Sequence, residues 1–301
     1  MDPQLVSVII TTCKRGPQIL ERAIQSVISQ TYNEWELIVV DDSPGTYEYR
    51  DKAKSIVLKY AEEFPILYHE NTENLGACAS RNIGLALAKG KYIAFLDDDD
   101  EWLPLKLELQ VDALEHAETT VALVYCNNYR KTEGEESLQL IERPQRTGKV
   151  YEYLMKEGNF IGGMSIPLMK ADAINNVGSF DPLMQSGQDI DLWLRLSKRY
   201  EFISIEVSLV INYWYPGDRI SNNVEKKIEG RKRLIEKNLD YLDSHKCIKW
   251  KRLISLEQAY VIGYKKKEAF EVWKQAVKLC PYKIVKNSYE LVRIIFTKSS
   301  K

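Results

Sequence analysis

The order of apolar runs in the first 130 residues constrains this chain more than any other feature. Val6–Thr12 (VSVIITT), Trp35–Val40 (WELIVV), Ile66–His69, Tyr92–Leu96 (YIAFL) and Val121–Cys126 are short, apolar and largely β-branched. Strands buried on both faces look like this. Helical stretches lie between them. One runs from Pro17 to about Ser29, with Leu20, Ile24 and Val27 among the residues of its apolar face. Others cover about Tyr49 to Glu62, Ala77 to Ala88 before Gly90, and Pro104 to about His116. Proline opens helices and glycine closes them. Such alternation predicts an α/β fold with a mostly parallel sheet and helices on both faces. In these sheets ligands gather at the carboxyl ends of the strands. Three of those ends are polar: Thr11-Thr12, Asp41-Asp42 and Asp97 to Asp100.

Beyond residue 130 the pattern is less regular. Asp189–Arg199 predicts a strong amphipathic helix, and Ile203–Ile205 and Leu209–Tyr213 predict strands. After Asn223 the chain reads as lysine-rich helix, broken at Pro281. Residues 1–221 carry 22 Lys and Arg against 34 Asp and Glu, a balance of −12; residues 222–301 carry 20 against 9, a balance of +11. An acidic body with a basic tail suggests nucleic acid, anionic lipid, an acidic partner or simply a solvated helical face. The longest stretch free of charge is twelve residues, Gly158 to Met169. That is too short for a membrane span, which needs roughly 20, and MDPQLVSVII lacks the basic start of a signal peptide. Five scattered cysteines without a CxxC pair suggest a reducing cytoplasm. Three histidines in no ligand-like spacing leave oxygen as the donor for any metal.

Four consecutive aspartates at a strand end repel one another and call for something positive. Carboxylate oxygens suit hard cations such as Mg²⁺ or Mn²⁺, which bridge to phosphate oxygens. Alternate strand residues share a face, so Asp97 and Asp99 could point at one site and Asp98 elsewhere. Asp42 could accept a hydrogen bond from a base or ribose, or begin a turn. Thr11 and Thr12 offer hydroxyls or plain β-propensity. Arg81, in Ser80-Arg81-Asn82, could meet a diphosphate or pair with Asp97 or Asp98.

With these residues in place the chain resembles a family-2 glycosyltransferase of the GT-A fold. The resemblance rests on SVIITTCKR (7–15), SVISQTY (26–32), ELIVVDDSP (36–44), NLGACASRNIGLALAKGKYIAFLDDDD (74–100), VGSFDP (177–182) and GQDIDLWLRL (187–196). It covers about residues 5–220. It implies a catalytic domain over 1–221, with a nucleotide-sugar half to about 128 and an acceptor half from about 129, followed by a basic helical region over 222–301. It implies that Thr11, Thr12, Asp42, Arg81, Asp97 and Asp98 contact the donor, with Asp99 on a divalent metal, Mn²⁺ or Mg²⁺. The family's base is the Asp of a Glu-Asp pair. Here the pair is Gln188-Asp189, so Asp189 matches the base and Gln188 departs from the pattern. Asp191, two residues on, is its rival on another helix face. Trp102, Gly163, Ser165, Gln188 and Asp191 are candidates for the acceptor side.

The expected activity is an inverting transfer of a hexose or N-acetylhexosamine, from a nucleotide sugar, favoured as a UDP-sugar, to a saccharide or lipid-linked saccharide. Many relatives carry a histidine after the last strand; NYWYPGDRIS (212–221) has none, and Tyr215, Asp218 or Arg219 are its candidate substitutes. A catalytically degenerate binder of the same fold is the alternative. A haloacid-dehalogenase-like phosphatase and a dinucleotide oxidoreductase fit less well, because the acids follow the fourth strand and CKRGPQ is no GxGxxG turn. The segment 283–296 (KIVKNSYELVRIIF) can form an interfacial helix. Its apolar face suits an anionic membrane at the inner surface, a second subunit or the catalytic domain itself. Nucleic acid is not expected as a partner.

Overall fold

The computed structural model describes residues 4–214 and 223–283. Strand β1 (Val6–Thr12) lies between β2 (Trp35–Asp41) and β4 (Tyr92–Asp97), with β3 (Ile66–Glu70) outside β2, and these four strands are parallel. Val6, Val8, Ile9 and Ile10 of β1 are wholly buried, as their unbroken apolar run requires. The intervening helices are α1 (Pro17–Ile28), α2 (Arg50–Ala61) and α3 (Ala77–Leu87). Helix α3 packs on β1 and β2. It comes close because Gly84 faces the sheet; a Cβ there would lie 2.4 Å from Ile9 Cγ2.

The second half of the sheet is mixed. After β5 (Glu101–Trp102) and α4 (Lys106–Glu115) come β6 (Val121–Thr132), β7 (Gln139–Ile141), α5 (Tyr151–Glu157), β8 (Leu168–Lys170), α6 (Ala171–Val177), α7 (Gln188–Ser197) and β9 (Glu201–Trp214). The sheet order is β3-β2-β1-β4-β8-β6-β9-β5, with β7 on β6. Three-residue β8 enters antiparallel between β4 and β6. The two strands expected at 203–205 and 209–213 are one, β9, lying parallel to β6. Its polar Glu206-Val207-Ser208 stretch falls where the register with β6 shifts, at Cys126/Asn127 and Asn127/Asn128, so a bulge carries the strand across the interruption.

The chain forms two compact units. One holds residues 4–182 and 192–214; the other holds 183–191 and 223–283. Residues 183–191, placed with the catalytic domain on sequence, thus group with the C-terminal helices. Those are α8 (Val224–Glu236), α9 (Leu239–Ser244), α10 (Lys246–Ile262) and α11 (Lys266–Leu279). Asn223 caps α8 by accepting from Lys226 N at 3.0 Å. Ile228, Trp250, Leu253, Leu256, Tyr260, Val272 and Ala276 form this unit's core. Residues 215–222 and 284–301, and with them Tyr215, Asp218, Arg219 and nearly all of the expected interfacial helix, lie outside the described residues. No described helix is long and apolar enough to cross a membrane.

Candidate active site

Strand register brings the three polar ends together. Thr11 pairs with Val40 on one side and Asp97 on the other, and Thr12 pairs with Asp41. Asp42 N then donates to Thr12 O at 2.8 Å.

At the end of β4 the four aspartates sort by alternation. Asp97 and Asp99 keep 36% and 21% of their side-chain surface open, against 8% for Asp98, and Asp100 is buried. Arg81 Nη2 donates to Asp97 Oδ1 at 3.1 Å. Arg15 bridges Asp98 and Asp99, with Nε to Asp98 Oδ1 at 3.0 Å and Nη2 to Asp99 Oδ2 at 3.1 Å. Thr12 Oγ1 donates to Asp98 Oδ2 at 2.7 Å. Arg22 lies over the Tyr213 ring and donates to the Asp99 carbonyl at 2.7 Å. Burial pushes the Asp98 carboxyl up to about 6, against the pull of Arg15. Burial, with Asp97 and Asp99 nearby, holds Asp100 well above the usual carboxylate range. Asp100 accepts from Ser165 Oγ at 2.6 Å, Asn212 Nδ2 at 2.5 Å and Tyr213 N at 3.3 Å. It ties β9 and the turn before β8 to the acidic strand end.

The end of β2 is organised differently. Asp42 is buried, and its carboxylate accepts from Leu75 N and Asn71 Nδ2 on Oδ1, and from Gly76 N and Asn74 Nδ2 on Oδ2, at 2.8–3.1 Å. A carboxylate has about four lone-pair sites, so the 71–76 loop fills them. Asp41 accepts from Tyr68 Oη at 2.7 Å and lies 3.6 Å from Arg50. Gly76 has φ +86°, a left-handed conformation that glycine adopts freely, and it leads into α3, which carries Arg81.

Three of the acceptor-side candidates are buried and engaged by protein partners. Trp102 is 1% exposed, its Nε1 donates to Ser165 O at 2.8 Å and Lys106 covers its ring, so no face is left for a sugar. Ser165 is wholly buried and spends its hydroxyl on Asp100 and on Asp97 N. Asp191 is buried and ion-paired to Lys237 at 2.5 Å, within the unit that holds both. Gly163 remains beside the acids: a Cβ there would lie 4.0 Å from Asp97 Oδ2. Asp189, partly exposed in the first turn of α7, accepts from Ile190 N at 2.7 Å, and Gln188 Nε2 donates to Met184 O at 3.2 Å. The segment 183–191 is seated on α8, where a Cβ on Gly230 would lie 2.2 Å from Ser186 O.

Sequence reasoning did not single out Arg15, Arg22 or Asn212. Arg15 stands in the SVIITTCKR stretch and was legible as a cation just past a strand end; Asn212 gives no signal until β9 is paired.

Among the described residues no group of three or more His, Cys, Asp or Glu side chains could hold a metal ion. Asp97 and Asp99 each keep open carboxylate surface at the strand end. One or two carboxylates completed by substrate phosphates and water suit Mg²⁺-type binding, so the donor set fits such an ion.

An α/β sheet whose carboxyl edge gathers acids and arginines in this order has the GT-A architecture. The structure of S. aureus TarS 1-349 in complex with UDP-GlcNAc shares the fold, with a TM-score of 0.60 over 93% of this chain and 82% of that one, at 16% identity. Residues 7–174 match Glycosyl transferase family 2, and the chain belongs to that family. WcaA, the glycosyl transferase assigned to colanic acid biosynthesis in Escherichia coli (strain K12), is 32% identical over 79% of this chain and 83% of its own length. The UDP-Glc:alpha-D-GlcNAc-diphosphoundecaprenol beta-1,3-glucosyltransferase WfgD of Escherichia coli is 29% identical over 75% of this chain and 77% of its own.

Proposed function

We propose that this chain transfers a sugar from a UDP-sugar to a hydroxyl of a lipid-linked saccharide, with inversion at the anomeric carbon, in the assembly of a cell-surface glycan. The observation that carries this reading is the end of β4. There two open aspartates and two arginines stand over two buried aspartates, on the edge that Thr11 and the Asp42 loop share. The donor named for WfgD and the ligand of TarS support the choice of UDP.

In this reading the loop that Asp42 organises holds the nucleoside, with Thr11 and Thr12 beside it. Arg15 and Arg81 exchange part of their carboxylate contacts for diphosphate oxygens. Asp99, with Asp97, holds a divalent cation. That ion supplies charge stabilisation for the departing diphosphate. Asp189 takes the proton of the acceptor hydroxyl, which is a poor nucleophile until a positioned carboxylate accepts it. A single displacement then inverts the sugar carbon.

Calorimetric titration with UDP and Mn²⁺, repeated in EDTA, tests the donor side. Affinity that is unchanged by EDTA would remove the metal from the reading. Asp189→Asn is expected to bind UDP as the wild type does and to release UDP from UDP-sugar roughly 10²–10⁴-fold more slowly with acceptor present. A wild-type protein that binds UDP but turns over no donor with any lipid-linked acceptor would point to a degenerate binder, for which Gln188 in the usual glutamate position speaks.

A further inference from the structure

Arg143 lies between β7 and α5, and among the described residues no carboxylate meets it. Its Nε donates to Asn128 Oδ1 at 3.0 Å and its backbone N–H to Asn127 Oδ1 at 2.7 Å. Among the described residues it forms no ion pair. Among the described residues its terminal nitrogens have no acceptor, and they are not among the sealed polar atoms. Desolvation by burial lowers its pKa, and the charge of Arg130 adds to the effect. A half-buried guanidinium beside a second cation is costly unless an anion joins it. Its planar fork matches oxyanions, phosphate above all when more than one charge must be met.

The position relative to the reacting edge comes from two connections. The first is a chain of hydrogen bonds. Asn128 Nδ2 donates to Asn212 Oδ1 at 2.8 Å, Asn212 Nδ2 donates to Asp100, Ser165 Oγ donates to Asp100, and Asp97 N donates to Ser165 Oγ at 3.0 Å. The second is the Gly162-Gly163 turn. Gly162 has φ +108°, and a Cβ there would lie 2.9 Å from Arg143 Nη2. The next residue, Gly163, faces Asp97. Consecutive glycines thus border the guanidinium, beside Ile166 Cδ1, and the open carboxylate.

We propose that Arg143, backed by Arg130, receives phosphate oxygens of a diphosphate-bearing acceptor whose hydroxyl is presented at the β4 end. This rests on the lipid-linked acceptor proposed above and names the group that recognises it.

The test uses the full chain saturated with UDP, titrated with geranyl diphosphate, geraniol and inorganic pyrophosphate. Geranyl diphosphate is expected to bind the wild type. Arg143→Gln should weaken it about tenfold or more, and Arg143→Lys, which keeps the charge but loses the fork, by less. UDP affinity should be the same in all three proteins, which also reports on folding. Should Arg143→Gln fail to bind UDP, Arg143→Lys and Arg130→Gln decide, each expected to weaken geranyl diphosphate alone. Equal binding of geranyl diphosphate by wild type and variants overturns the proposal. So does equal loss of geraniol, which would mark a structural defect, and so does pyrophosphate binding without geranyl diphosphate binding, an adventitious ion only. If UDP fails to bind the wild type, the donor reading falls, while the same titrations on the free protein still judge Arg143.

Discussion

The ends of β2 and β4 carry the same residue type and treat it in opposite ways. Asp42 meets two backbone and two amide N–H groups of one short loop and, among the described residues, no cation. Asp97, Asp98 and Asp99 meet Arg15 and Arg81 from elements up to 84 residues away, and Asp97 and Asp99 stay partly open. Neutral donors fix a carboxylate with nothing left to trade. Arginines beside half-open carboxylates leave charge on both partners that a diphosphate and a cation can redistribute. One end is scaffold; in the proposed reading the other is reagent.

The sharpest way to break this contrast is Asp99→Asn. Turnover is expected to fall about 10²–10³-fold, the size of a lost electrostatic contact to a developing charge. The melting temperature should move by no more than about 3 °C, since a half-open pair contributes little to folding. A large loss of stability would make Asp99 scaffold as well. Asp42→Ala should do the reverse. Stranding buried donors costs about 2–4 kcal/mol, or roughly 6–12 °C for a unit of this size. Lost UDP affinity at an unchanged melting temperature would instead make Asp42 a direct ligand contact.

A pH series sharpens the β4 side. Asp98 keeps its proton up to about 6 in the fold, above its ordinary value of 3.8. The folded state therefore binds more protons between those values. The stability this contributes is present below about pH 4, is lost as pH rises to about 6 and is flat beyond, on the order of 1–3 kcal/mol. Urea midpoints of wild type and Asp98→Asn from pH 4 to 7 check this, and the variant should lose that slope. The smallest effect belongs to Trp102→Phe. Ser165 O loses one donor, at about 1 kcal/mol, while KM for donor and acceptor should not change. A raised KM would return Trp102 to the sugar pocket.

Much of this contrast was legible before folding. A β-branched run that stops at acids is a strand end with a site on it, so β1, β2 and β4 and their polar clusters could be read directly. Alternation also separated Asp97 and Asp99 from Asp98. What could not be read is burial decided by distant partners. Ser165 looks like an available hydroxyl until Asp100, 65 positions earlier, claims it. Asn128 and Asn212 meet across 84 residues through a bulged pairing that no local pattern announces. Asp191 looks like a rival base because Lys237 is 46 residues away in sequence and lies on the other side of β9 in the chain.

That ion pair sets a limit on how the molecule can be divided. Lys237 neutralises a buried carboxylate, and α8 offers a glycine where any larger residue would push Ser186 away. A protein ended after the last strand would not be a minimal enzyme with its appendix removed. It would keep Asp191 without its counter-charge and lose the seat beneath the residues leading to Asp189. The basic helices are thus inseparable from the segment that bears Asp189, the proposed base, and shortening the gene from that end should cost activity before it costs the sheet.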